Sequence, residues 1–110
     1  MYNDNGYKYI TTEELLNLQQ GHQEILLLDP LPKSRFEQVH AIGAKNACVY
    51  EVSFLEQVAA LCNDKENMIV ICGVDKDTYD AITAASKLQR DGYSNIAILK
   101  GGLAAWQQAG

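Results

Sequence analysis

The stretch Met68-Ile69-Val70-Ile71-Cys72-Gly73-Val74-Asp75-Lys76-Asp77-Thr78 decides the fold. Its first four residues are apolar and rich in β-branched side chains, the pattern of a buried strand. The strand ends on Cys72. Gly73, Val74, Asp75, Lys76 and Asp77 follow without periodicity. Thr78 then opens an alanine-rich amphipathic run to Arg90, closed by Gly92. A cysteine therefore stands where a strand ends, shortly before a helix begins. Ligand sites in open α/β sheets lie beyond the carboxyl ends of the strands. A thiol at that place can be held in a concave loop of backbone N–H groups, near the positive end of a helix dipole. Both effects stabilise a thiolate and lower its pKa. Free cysteine is also among the most buried residue types, and a strand-end side chain can point into the core. Position alone leaves both readings of Cys72 open.

Outward from this stretch, strand and helix signals alternate. Residues 1–8 read as a poorly ordered extension that grades into a weak strand over Tyr7–Ile10. Thr11 and Glu14 form the T-x-x-E pattern of a capping box and mark a helix start. Ile25-Leu26-Leu27-Leu28 is a short apolar strand ending at Asp29, and Pro30 and Pro32 force a loop. Ser34 with Glu37, and Ser53 with Glu56, repeat the capping-box pattern and predict two more helices, the first reaching Val39. Between them Ala47-Cys48-Val49 reads as a brief strand. Asn95–Leu99 is the last strand, Gly101-Gly102 breaks the chain, and a final short helix carries Trp106. Apolar strands with no polar face, joined by helices, predict an α/β fold: one mostly parallel sheet with helices on both faces.

Bulk properties narrow the function. The 110 residues suit a single domain spanning 1–110, with 47% hydrophobic and 21% charged residues, a soluble globular profile. No apolar run approaches the ~18 residues of a membrane span. A net charge of −5, with Arg35 and Arg90 the only arginines, argues against nucleic acid as a partner. The N-terminus lacks a basic–apolar leader, which predicts a cytoplasmic protein. Cys48, Cys62 and Cys72 are an odd count without CxxC spacing, so no disulfide framework or zinc site is expected. No organic cofactor is expected either.

Four segments, in order, resemble the rhodanese-like domains. Ile25–Asp29 is similar to the family's apolar strand ending in Asp. Phe36 to Ala44, with His40, Gly43 and Ala44, resembles its F-x-x-G-H-I-P-G-A loop. Met68–Thr78 resembles the active-site strand and loop, with Cys72 at the catalytic position and Thr78 at the closing Ser/Thr. Gly92-Tyr93, Asn95, Leu99, Gly101, Gly102, Trp106, Ala109 and Gly110 fit the ending G-Y-x-N-V-x-x-L-x-G-G-x-x-x-W-x-x-A-G. The resemblance implies a sulfurtransferase or sulfur carrier that forms a persulfide on Cys72. It implies a loop from Gly73 to Thr78 whose backbone N–H groups cradle the persulfide charge. It implies as partners a small sulfur donor or a persulfidated protein, and a thiol acceptor.

Three departures qualify that expectation. The loop carries Asp75 and Asp77 where relatives often have glycine and arginine, so thiosulfate would meet two carboxylates and one ammonium, that of Lys76. Poor thiosulfate turnover is expected. Asp77 is read as the N-cap of the helix that follows. The family's Asp-x-Arg reads Asp29-Pro30-Leu31, leaving Asp29 to accept backbone hydrogen bonds or to meet Arg35. The histidine loop lacks its usual Gly and Pro, and His40 is read as structural, holding that loop by hydrogen bonds. Cys48 and Cys62 are read as core or boundary thiols, and His22 as a solvated turn residue. A non-catalytic interaction module is the alternative function. A C-x5-R phosphatase or arsenate reductase is disfavoured, because no arginine follows Cys72 at the needed distance.

Overall fold

The computed structural model describes residues 6–21 and 24–109. Ten elements alternate: β1 (Lys8–Ile10), α1 (Thr12–Gln20), β2 (Ile25–Asp29), α2 (Lys33–Gln38), β3 (Lys45–Asn46), α3 (Phe54–Leu61), β4 (Met68–Ile71), α4 (Asp80–Arg90), β5 (Ile96–Leu99) and α5 (Gly102–Ala109). The strands form one five-stranded sheet in the order β1-β5-β4-β2-β3, every pairing parallel. β4 lies at its centre, paired with β2 through Leu28↔Ile71 and with β5 through Ile71↔Ile98. Lys8 pairs with Ala97, so the sheet already includes the last residue of the N-terminal extension.

Side chains alternate across the sheet, and the two faces build two cores. Leu26, Leu28, Ile69, Ile71 and Ile98 pack with Phe54 and Val58 of α3 and with Ala81, Ala84, Ala85 and Leu88 of α4. Ile10, Leu27, Met68, Val70, Ala97 and Leu99 pack with Leu15 of α1 and Leu103 of α5. The central strand thus needs no polar residue. Its four positions are all buried, as expected of a parallel sheet covered on both faces.

The Thr11 capping box forms as the sequence predicts: the Thr11 hydroxyl accepts from the Glu14 N–H at 3.1 Å, and Glu14 accepts from the Thr11 N–H at 3.0 Å. The other two boxes do not form. α2 starts at Lys33 with Pro32 as its N-cap, which places Ser34 inside the first turn, and Val39 is the C-cap. The fixed φ of Pro32 starts the helix two residues early. Ser53 does precede α3, but its backbone is near-helical, and its hydroxyl accepts from Gln57 Nε2 at 2.8 Å instead. The third strand is Lys45–Asn46 and not Ala47–Val49. Its partner β2 runs into Pro30, which has no N–H to extend the ladder. Ala47 and Val49 still donate to the Asp29 and Pro30 carbonyls at 3.1 and 2.9 Å, but outside regular pairing.

Candidate functional site

Cys72 directly follows β4, and its N–H donates to Leu28 O at 2.8 Å. Alternation carries its side chain to the face of Met68 and Val70, where Ala41, Ala44, Leu15 and Leu103 also pack. The residue is 1% exposed. Burial, and secondarily the charge of Asp29, push its thiol up to about 12. This runs against the expectation of a lowered pKa: burial disfavours the charged thiolate, and α4 begins only at Asp80. The thiol donates to the Gly73 carbonyl at 3.8 Å.

The loop that follows is held from the far end of the chain. Leu103 N–H donates to Gly73 O at 2.8 Å and Ala104 N–H to Val74 O at 3.0 Å. These bonds satisfy two of the orphan donors at the start of α5. They also orient the loop. In a trans peptide the C=O of one residue and the N–H of the next point in opposite directions. With both carbonyls on α5, the N–H groups of Val74 and Asp75 face away from it together. Among the described residues neither donates to a protein acceptor. Gly102, at φ +57°, makes this approach possible: a Cβ there would lie 2.5 Å from Gly73 O.

Asp77 does not cap the helix, contrary to expectation. α4 begins at Asp80, with Tyr79 at the cap position and no side-chain cap bond. Asp75 Oδ1 accepts from the Asp77 N–H at 2.8 Å, a local turn that ends before the helix starts. The Thr78 hydroxyl donates to Asp75 O at 3.4 Å. Gly73 is buried, Val74, Asp75 and Thr78 are half-buried, and Lys76 and Asp77 are exposed.

Asp29 is 1% exposed. Its Oδ1 accepts from the Leu31 N–H at 2.9 Å, the backbone role expected of it. Desolvation raises its pKa, against the pull of that N–H, and the Asp80 charge raises it further. No ion pair with Arg35 forms among the described residues; Arg35 is exposed on α2. His40 is exposed, stacks on Phe36 at 3.8 Å and donates from Nδ1 to Phe36 O at 2.6 Å. It ties down the end of α2. All three cysteines are free: Cys48 is buried and Cys62 half-buried. His22 and Gly110 lie outside the described residues.

Sequence reading missed Asp80, a buried carboxylate at the start of α4 that accepts a hydrogen bond from the Tyr50 hydroxyl. An acidic residue in a helix's first turn is the only local signal for it. A cavity of about 520 Å³ beside the loop was also missed; Gly73, Asp75, Lys76 and Thr78 line it, and Cys72 does not. Among the described residues there is no cluster of three metal-ligating side chains, and no helix is long and apolar enough to cross a membrane.

The family model described as Rhodanese-like domain matches residues 11–109. No curated protein matches the chain significantly. Among solved structures, the Alr3790 protein from Anabaena sp. superposes with a TM-score of 0.80 at 24% identity, over 92% of this chain and 87% of that one. A thiosulfate sulfurtransferase from Pseudomonas aeruginosa gives 0.79 at 28% identity; 93% of this chain matches only 19% of that protein. A rhodanese-like domain protein from Staphylococcus aureus gives 0.69 at 19% identity, covering 90% of both chains. With the family model matching residues 11–109 of its 110, the chain belongs to the rhodanese-like domain family.

Proposed function

We propose that this protein is a sulfurtransferase or sulfur carrier, that Cys72 carries the sulfur as a persulfide, and that an organic or protein persulfide, not thiosulfate, is the donor. The observation that carries this reading is the pair of backbone N–H groups at Val74 and Asp75, turned away from α5 and without protein acceptors, directly after the cysteine. Such donors suit the negative charge of a persulfide. Residues Gly73 to Thr78 form the substrate loop, with Asp29 and His40 supporting its surroundings.

The cycle conserves electrons. The Cys72 thiolate attacks the outer sulfur of a donor R–S–SH. The new S–S bond forms as the donor's own S–S bond breaks, and the electron pair leaves with RS⁻, which takes up a proton from water in place of the one Cys72 released on ionising. An acceptor thiolate then attacks the outer sulfur of the Cys72 persulfide and returns Cys72 as a thiolate. With the thiol pushed up to about 12, the first step is slow in the resting conformation. The loop must shift to let donor and water reach Sγ, and that shift relieves the desolvation that holds the proton. Two loop carboxylates repel the dianion thiosulfate, whereas a neutral or thiol-borne donor escapes most of that cost. Free thiols throughout suit a reducing cytoplasm.

The non-catalytic module is favoured by one observation, the enclosure of Cys72 at 1% exposure. Intact mass spectrometry after incubation with cysteine persulfide separates the two. Sulfur transfer predicts a gain of one sulfur atom on Cys72, lost in Cys72→Ser and kept in Cys48→Ser and Cys62→Ser. No adduct on Cys72 from any donor leaves the module.

A further inference from the structure

The two ends of the loop after Cys72 are held differently. At the near end, Leu103 and Ala104 of α5 donate backbone N–H groups to Gly73 O and Val74 O at 2.8 and 3.0 Å. In the middle, Asp75, Asp77 and Thr78 bond among themselves. At the far end the chain enters α4 at Asp80 with no side-chain cap. Asp80 is a carboxylate only 7% exposed, and the Tyr50 hydroxyl donates to its Oδ1. Tyr50 is itself 65% exposed, so its ring gains little from burial and the hydrogen bond is what directs it onto α4. The segment that carries Tyr50 is anchored across the sheet. Val49 N–H donates to Pro30 O at 2.9 Å, just past β2, and Val49 O accepts from Lys87 Nζ of α4 at 3.0 Å. Tyr50 thus spans from the carboxyl end of β2 to the first turn of α4. Ala81, the next residue of that turn, packs on Gly73: a Cβ at Gly73 would meet Ala81 Cβ at 3.3 Å. One side-chain bond therefore joins an anchored segment to the turn that abuts the residue after Cys72.

We propose that the hydrogen bond from Tyr50 to Asp80 is a latch that keeps the loop after Cys72 closed, with both side chains as positioning residues and neither as a catalytic one. The purpose of the latch rests on the sulfur-transfer reading; what it controls directly is access to Sγ. The physical reason lies in the buried carboxylate. An ionised group that is buried and loses its hydrogen-bond partner is costly to keep in place. Once Tyr50 lets go, Asp80 turns to water and draws Tyr79 and the end of the loop with it. Gly73 and Val74 stay on α5, so the loop opens from its far end. Water competes for the exposed Tyr50 hydroxyl, and a single side-chain bond there faces two backbone bonds at the near end. The far end is therefore the weaker hold, and its release is reversible.

Alkylation of the full chain with iodoacetamide at one pH, read at Cys72 by peptide mass spectrometry, measures access without sulfur chemistry. Tyr50→Phe keeps the ring and removes the hydroxyl. Its Cys72 should alkylate at least about tenfold faster than the parent's, a change in open population that corresponds to about 1.4 kcal/mol. Tyr93→Phe is the matched control. It removes a hydroxyl that donates to Cys62 O at 3.1 Å, at the amino ends of β4 and β5 and so at the opposite end of the sheet. That bond survives when the loop opens, so Tyr93→Phe should melt earlier than the parent and leave Cys72 alkylation unchanged. An unchanged rate in Tyr50→Phe overturns the proposal. So does an equal acceleration in Tyr93→Phe, because the thiol would then be reached only by global unfolding. If Tyr50→Phe exposes Cys72 while no donor persulfidates it in either protein, the latch stands and the sulfur-transfer reading falls. If the parent takes up sulfur on Cys72 while Tyr50→Phe alters neither alkylation nor loading, the reading stands and the latch falls.

Discussion

Replacing Gly102 by alanine should loosen the loop that follows Cys72 from thirty positions away in sequence. Gly102 sits at φ +57°, where an L side chain costs about 1–2 kcal/mol. Its new Cβ would fall 2.5 Å from Gly73 O, 2.9 Å from Gly73 C and 3.0 Å from Val74 C. All three are backbone atoms, so no side chain can swing aside. The loop or the start of α5 must shift, and the bonds from Leu103 N–H and Ala104 N–H to the loop carbonyls weaken with it, at about 1 kcal/mol each. The sum is about 3–4 kcal/mol, which at about 4 °C per kcal/mol lowers the melting temperature by roughly 12–16 °C. The same shift turns the Val74 and Asp75 N–H groups out of place, so persulfide formation on Cys72 should fall as well. Gly101→Ala is the control. Gly101 has φ +76°, and its Cβ would lie 2.7 Å from Ala105 Cβ, within the first turn of α5 and off the loop. It should lose stability and keep persulfidation in whatever fraction remains folded. Differential scanning fluorimetry with donor-loading mass spectrometry, below both melting temperatures, reads the two effects separately. A Gly102→Ala variant that melts like the parent, or that melts early yet loads sulfur normally, would refute the argument that α5 orients the loop.

Asp77→Arg changes the loop charge by two units. Because Asp77 caps no helix, the change should leave the melting temperature in place while raising thiosulfate:cyanide transfer at least about tenfold, a gain that shrinks with added salt. An unaltered rate in the folded variant would show that charge is not what limits thiosulfate. Asp29→Asn keeps an oxygen for the Leu31 N–H and removes the charge beside Cys72, so the pH profile of Cys72 alkylation should move to lower pH; burial, the larger cause, keeps it above an ordinary thiol. A profile that does not move would remove Asp29 from the account. The raised thiol also has a stability consequence. The fold favours the protonated thiol, a contribution fully present below the unfolded thiol pKa near 9.0 and lost as pH rises through about 12. Alkaline unfolding should therefore be less steep in Cys72→Ser than in the parent. Thr11→Ala breaks the capping box of α1 and should cost about 1 kcal/mol in urea unfolding, with no effect on sulfur loading.

The sequence by itself determined the fold class. Apolar runs at Ile25–Leu28, Met68–Ile71 and Ile96–Leu99 have no polar face, and such strands are stable only in a sheet covered on both sides. The capping box at Thr11 was legible because both partners lie within three residues; the patterns at Ser34 and Ser53 misled because neighbouring backbone, Pro32 above all, set the helix start first. Cys72 was legible at the end of the central strand, though the strand itself stops at Ile71, and alternation with Met68 and Val70 assigns its face. Only the tertiary structure decided what covers that face. Ala41, Ala44, Leu15 and Leu103 join the core on that face from three other parts of the chain, and burial there raises the thiol's pKa instead of lowering it. The loop's orientation was equally hidden, since it depends on α5 donating two hydrogen bonds to Gly73 and Val74. Periodicity reports which side a residue faces, because it is a property of neighbouring bonds; burial and electrostatics are sums over groups that only folding brings together.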